Sequence, residues 1–169
     1  SKIGMLDSGE KQLQDCLMRA QVPVHFVSQD PVRLQERHHL YPLTRHLDDH
    51  HKIYDPRTAA DALAVAMAFA LAHAIPLHAL QVSSEEEICL LQRHETPLIT
   101  ASTSLYHLLF NNETAALQCG KRAHTVPPIR SERHQHAILR AIASGSIQCL
   151  TSGHCPTTLE RKSLPYPDS

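Results

Sequence analysis

Histidine is the residue type through which this chain could do chemistry. His accounts for 14 of the 169 residues, and much of it crowds into His38-His39, His46-Leu47-Asp48-Asp49-His50-His51 and His134-Gln135-His136. If the middle run is helical, His46 and His50 at i and i+4 share a face, and Asp49 can join them around a divalent cation. A solvated polar loop accounts for the same residues without a metal. His134 and His136, two apart on a helix, face different ways and make a poor pair of ligands. Cys16, Cys89, Cys119, Cys149 and Cys155 are odd in number, scattered and without a Cys-x-x-Cys pair. That pattern predicts reduced thiols in a cytoplasmic protein, not a disulfide scaffold.

Such groups need a frame, and the stretch from Val126 to Lys162 shows its logic. A Pro127-Pro128 turn leads to Ser131, a suitable helix N-cap, and Ile138, Leu139 and Ile142 then form an apolar stripe at helical spacing. Gly145 can take the left-handed conformation that stops the helix, and Ile147 to Leu150 reads as a buried strand. A polar loop begins at Gly153-His154. Helix, corner, strand and loop make one step of a parallel α/β protein, in which the loop after the strand carries the chemistry.

The rest of the chain alternates in the same way. Lys2 to Leu6 reads as the tail of a strand, and Glu10 to Arg19 as a helix. Pro23 to Val27, Pro76 to Val82 and Pro97 to Thr103 are further strand candidates. Arg57 to Ala74 is a strong helix with a Pro just before it. Ser83 to Glu87 is a capped helix start whose acids suit the positive end of the dipole. Arg33 to Tyr54 has no sustained period and predicts an irregular excursion with a short helix. Leu105 to Phe110 starts a helical turn that Asn111-Asn112-Glu113 is expected to end. Alternating strands and helices predict an α/β fold with a parallel sheet. A net charge of −1 gives no electrostatic argument for nucleic acid or an anionic membrane. No signal peptide is visible, and the most apolar run, Ala62 to Ala72, is too short to span a bilayer. One soluble domain is expected.

The run Val-Pro-Pro-Ile-Arg-Ser at 126–131, the helix and Gly corner, and Thr-Ser-Gly-His-Cys-Pro-Thr-Thr-Leu-Glu-Arg-Lys at 151–162 resemble the C-terminal catalytic region of dihydroorotases. These belong to the cyclic amidohydrolases, with dihydropyrimidinases and hydantoinases. The family pattern runs Asn-Pro-Pro-(Leu/Ile)-Arg-Ser, a helix, Asp-Gly-Thr-Ile-Asp, then Thr-Asp-His-Ala-Pro-His-Thr-Leu-Glu-Glu-Lys. Pro76 to Ser84 is similar to the family strand Leu-His-(Val/Ile)-(Leu/Ala)-His-Val-Ser-Ser. Ile99 to Phe110 tracks Val-Thr-Cys-Glu-Val-Thr-Pro-His-His-Leu-Phe-Leu, and Lys2 to Gly9 matches a family segment loosely. The resemblance implies a partial (β/α) TIM-type barrel. Residues 1–169 would form a single dihydroorotase-like domain, corresponding to about the last five βα units of the barrel.

Members of that family hydrolyse or form a cyclic amide at one or two divalent metals, usually zinc, with an Asp after the last strand moving the proton. Here the resemblance sets Val27 and Gln81 where two middle-strand His ligands stand, Gly153 where the Asp stands, and Thr157 where a second His stands. Catalytic residues and cofactors are therefore expected to be absent. Lys2 aligns with a carboxylated Lys of the metal centre, and Lys2, His46 and His50 are the remaining metal candidates. Arg130 and His154 match family positions and are the expected substrate contacts. The implied protein is an inactive dihydroorotase-like structural or regulatory subunit, linked to pyrimidine biosynthesis through assembly of aspartate transcarbamoylase. Two alternatives stand beside it: a fragment of an active zinc-dependent hydrolase whose N-terminal part supplies ligands, and a His-rich metal-binding module. Barrel edges left open predict self-association or another polypeptide as partner.

Overall fold

Four short strands carry the fold: β1 (Val24–Val27), β2 (Leu77–Leu80), β3 (Ile99–Ser104) and β4 (Cys149–Thr151). The computed structural model describes residues 15–19, 22–42 and 47–164. All neighbouring strands pair in parallel, in the order β1-β2-β3-β4, so each pairs with the next along the chain. That order needs a crossover between every pair, and helices supply them. The expected strand near Lys2 lies outside the described residues, as does the first half of the helix expected from Glu10; residues 15–19 are helical.

Helix α1 is Pro31–Leu40, α2 is Leu47–Ile53 and α3 is Pro56–His73. Asp55 caps α3 by accepting from the Thr58 amide at 2.8 Å, and Pro56 occupies the first turn, where its missing N–H costs nothing. Helix α4 (Glu85–Arg93) begins with a full capping box, Ser84 with Glu87. Helices α5 (Leu105–Leu109) and α6 (Asn112–Cys119) follow β3, and a 3₁₀ turn spans Gly120–Ala123. Helix α7 (Glu132–Ser144) starts at Ser131 and ends at Gly145, whose φ of 82° is left-handed as expected. Short α8 is Leu159–Lys162.

Side chains alternate along the strands, and one face is the core. Leu77, Ala79, Ile99 and Ala101 pack under Leu63, Met67 and Ala70 of α3, Ile88 and Leu91 of α4, and Ala137, Ile138 and Ala141 of α7. The opposite face carries His25, His78 and Thr100 in one cross-strand row. No helix among the described residues is long and apolar enough to cross a membrane.

Four expectations need correction. The segment from Arg33 to Tyr54 holds two helices. Helix α1 buries no residue, so it shows no apolar period; polar ties hold it instead, with Arg33 Nε donating to Asp55 at 3.1 Å and Arg37 Nε to the Lys52 carbonyl at 2.7 Å. The turn from Leu105 does stop, at Leu109, but Asn111 goes on to cap a further helix, α6, in a capping box with Thr114. In α7, Leu139 is 47% exposed while His134 and Ala137 face inward beside Ile138, so the buried stripe is rotated from the one expected. Finally, Ile147 is buried, but Leu150 is 50% exposed. Strand β4 is an end strand of the described sheet, and nothing described covers Leu150.

Candidate functional site at the carboxyl ends of the strands

The positions singled out by sequence gather at one end of the sheet. Val27 ends β1 opposite Leu80, Gln81 follows β2 directly, and Gly153 lies two residues past β4. Gln81 has a φ of 56°, left-handed and uncommon for a residue with a side chain. Gln81 and Gly153 line one cavity of about 610 Å³, roofed by α6, the 3₁₀ turn and the loops at 124–129 and 153–157. Val27 stays outside it, 41% exposed.

Tyr106, at the start of α5, decides what this cavity can do. Its hydroxyl accepts from Gln81 Nε2 at 3.3 Å. Its ring lies directly on Gly153: a Cβ there would stand 2.6 Å from the hydroxyl and 2.8 Å from Cζ, and closer still to Cε1. No side chain, and so no carboxylate, fits at 153 while Tyr106 holds this position. Gly153 also has a φ of 61°, which an L residue adopts only at a cost.

A divalent metal does not fit these residues. Val27 offers hydrocarbon, Gly153 offers nothing, and the Gln81 amide is bound to Tyr106. Among the described residues no group of three or more His, Cys, Asp or Glu could hold a metal ion. Both ring nitrogens of His78 are engaged, by Thr100 Oγ1 at 2.7 Å and Ser102 Oγ at 3.1 Å, and its ring lies 5.2 Å from that of His25. Lys2 and His46 lie outside the described residues. Asp49 pairs with Lys52 at 2.9 Å, and the His50 ring is buried against the Thr125 carbonyl at 2.8 Å. Burial drives the His50 pKa down to about 3, so this His is a neutral interior group.

The expected substrate contacts lie elsewhere. Arg130 is 6% exposed; its Nε donates to Ser83 Oγ and its Nη1 to the Tyr54 carbonyl, each at 3.0 Å. Beside it Glu87 accepts from the amides and hydroxyls of Ser83 and Ser84. Burial pushes the Glu87 pKa up while Arg130 opposes the shift. This is an interior polar cluster, and Arg130 does not line the cavity. Nor does His154, which is exposed and whose backbone N–H donates to Ser152 Oγ at 3.2 Å. His134 accepts from the Glu85 amide at 3.1 Å, a structural contact, and His136 is exposed. His107 bridges Ser104 Oγ at 2.7 Å and the Pro127 carbonyl at 3.1 Å; burial lowers its pKa to about 4. Sequence reasoning missed Tyr106, Arg122 and Lys162, all of which line the cavity. No spacing marks Arg122, and Tyr106 gains its role only by packing across from Gly153.

No protein-family model matches the chain. A putative dihydroorotase from Rhodopirellula baltica is 35% identical over 108 residues, covering 62% of this chain and 24% of that protein. The dihydroorotase of Caldanaerobacter subterraneus subsp. tengcongensis is 29% identical over 114 residues, 66% of this chain and 26% of that protein. The chain thus spans about a quarter of the length of these relatives. In structure it resembles dihydropyrimidinase from Brevibacillus agri, with a TM-score of 0.79 at 20% identity, over 94% of this chain and 36% of that one. It also resembles L-hydantoinase from Arthrobacter aurescens, with a TM-score of 0.81 at 16% identity, over 96% and 38%. At such identities the likeness establishes the fold, part of a TIM-type barrel. The chain is thus similar in sequence to dihydroorotases, over about a quarter of their length, and shares the fold of part of a cyclic amidohydrolase barrel.

Proposed function

We propose that this chain is a catalytically inactive dihydroorotase-like protein with a structural or regulatory role. The observation that carries this reading is the Tyr106 ring against Gly153. It occupies the space that a side chain at 153 would take, so a carboxylate there would require Tyr106 to move. Loss of a single group of this kind costs several kcal/mol of transition-state stabilisation, and here the ligand positions Val27 and Gln81 are without suitable donors as well. What remains is a frame with exposed apolar groups on β4, fitted to assemble with a second copy or another polypeptide. By family resemblance aspartate transcarbamoylase is the partner to test, which would link the chain to pyrimidine biosynthesis.

The test is turnover of dihydroorotate and of hydantoin by the purified chain with zinc supplied, together with its metal content by elemental analysis. No turnover above buffer and far less than one metal per chain are expected. Turnover abolished by a chelator would overturn the reading. It would favour instead a part of an active zinc-dependent hydrolase, a reading that draws on the chain's spanning only 24% and 26% of two relatives. Sedimentation of the chain, alone and mixed with aspartate transcarbamoylase, tests the assembly.

A further inference from the structure

We infer that the groove between β1 and α3 is the seat of this chain's own residues 10–14, with Leu13 as the anchor. This goes beyond the proposed function and withdraws one apolar face from any partner. The groove measures about 550 Å³ and is walled by Val24 and Phe26 of β1, by Val65, Ala66 and Phe69 of α3, and by Ile75. Asp30 is the one charged residue on that wall among those described, and its Oδ1 already accepts from the Arg33 amide at 2.8 Å. Such a wall calls for an apolar occupant. Val65 is 70% exposed, so nothing described closes the groove.

Leu17 points to the occupant. It lies on the same wall, and in the helical stretch 15–19 it alone is not exposed: Asp15, Cys16, Met18 and Arg19 all are. This stretch therefore turns one face to the groove, and on a helix that face continues four residues earlier. Leu13 stands there, the only apolar residue in Glu10-Lys11-Gln12-Leu13-Gln14. A polar run whose single Leu falls at the groove-facing position is the pattern of a helix packed along one narrow stripe. The covalent link decides between occupants. Residues joined directly to Asp15 meet the groove at an effective concentration in the millimolar range, which a second copy at micromolar concentration does not match.

Urea unfolding of the full chain, followed by circular dichroism, tests this. Leu13→Ala should lower the midpoint by about 1 M, the loss expected of a buried Leu in a chain of this size. Lys11→Ala, on another face, should leave it within about 0.2 M. Combined with Phe69→Ala, Leu13→Ala should cost about 0.5 M less than the two single shifts summed, as substitutions of residues in contact do. A shift at Leu13 no larger than at Lys11, or one that adds fully to that at Phe69, would overturn the inference. A midpoint that falls on dilution of the parent chain, with a sedimenting mass halved by Leu13→Ala, would give the groove to a second copy and overturn it as well.

Discussion

Replacing Gly153 with Ala puts the packing against Tyr106 to a direct test. Two costs are expected. The first is backbone: at a φ of 61° an Ala side chain crowds its own carbonyl, for roughly 1 kcal/mol. The second is steric, because the new methyl would stand 2.6 Å from the Tyr106 hydroxyl and 2.8 Å from Cζ. Overpacking of this kind costs about 1–3 kcal/mol, with the ring's hydrogen bond to Gln81 resisting its retreat. Gly153→Ala should therefore lose about 2–4 kcal/mol in urea unfolding. Gly145 supplies the control. Its φ is 82° and nothing lies within 4 Å of an added Cβ, so Gly145→Ala should show the backbone cost alone. In a Tyr106→Ala background the penalty at 153 should fall to the same roughly 1 kcal/mol, leaving about 1–3 kcal/mol of coupling in the double-mutant cycle. Equal losses for the two glycine variants, or a penalty at 153 indifferent to Tyr106, would refute the reasoning and reopen position 153 to a carboxylate.

The interior cluster and the buried imidazole make further claims. Arg130→Ala should cost about 1–3 kcal/mol in urea unfolding, by leaving Ser83 Oγ and the buried Tyr54 carbonyl without their donor; an unchanged midpoint would show that Arg130 is not holding the cluster. His107 has a folded pKa lowered to about 4 from an ordinary 6.5. The unfolded chain therefore takes up the proton first as the medium is acidified. The stability from the neutral ring is complete above pH 6.5 and declines down to about pH 4, by up to about 1.4 kcal/mol per pH unit. His107→Gln should flatten that part of the urea midpoint profile, and coincident slopes for variant and parent would contradict the assignment.

The frame was readable in sequence wherever local chemistry and tertiary packing agree. Pro56 and Asp55 start α3, the Ser84–Glu87 box starts α4 and Gly145 stops α7, and each signal lies within a few residues of the event it controls. Helix α1 was not readable, because ties from Arg33 and Arg37 replace an apolar stripe. Leu139 and Leu150 misled because an apolar residue implies burial only where something covers it. The candidate site divides in the same way. Gln81 and Gly153 were legible only through the family resemblance, and the structure brings them to one cavity. Arg130 carries a family motif, yet its guanidinium is committed to Ser83 and the Tyr54 carbonyl. Tyr106 and Gly153 stand far apart in the chain, and neither residue alone hints that one occupies the other's space.

The row formed by His25, His78 and Thr100 bears on what may seat against this sheet. The interior of a closed TIM barrel is normally filled by branched aliphatic side chains, whereas this row presents imidazoles and a hydroxyl. A purely greasy surface laid over it would strip water from an imidazole such as that of exposed His25 and return no hydrogen bond, at about 1–3 kcal/mol for each group left wanting. The face thus rejects indiscriminate sticking and admits a neighbour that arrives with donors and acceptors in register.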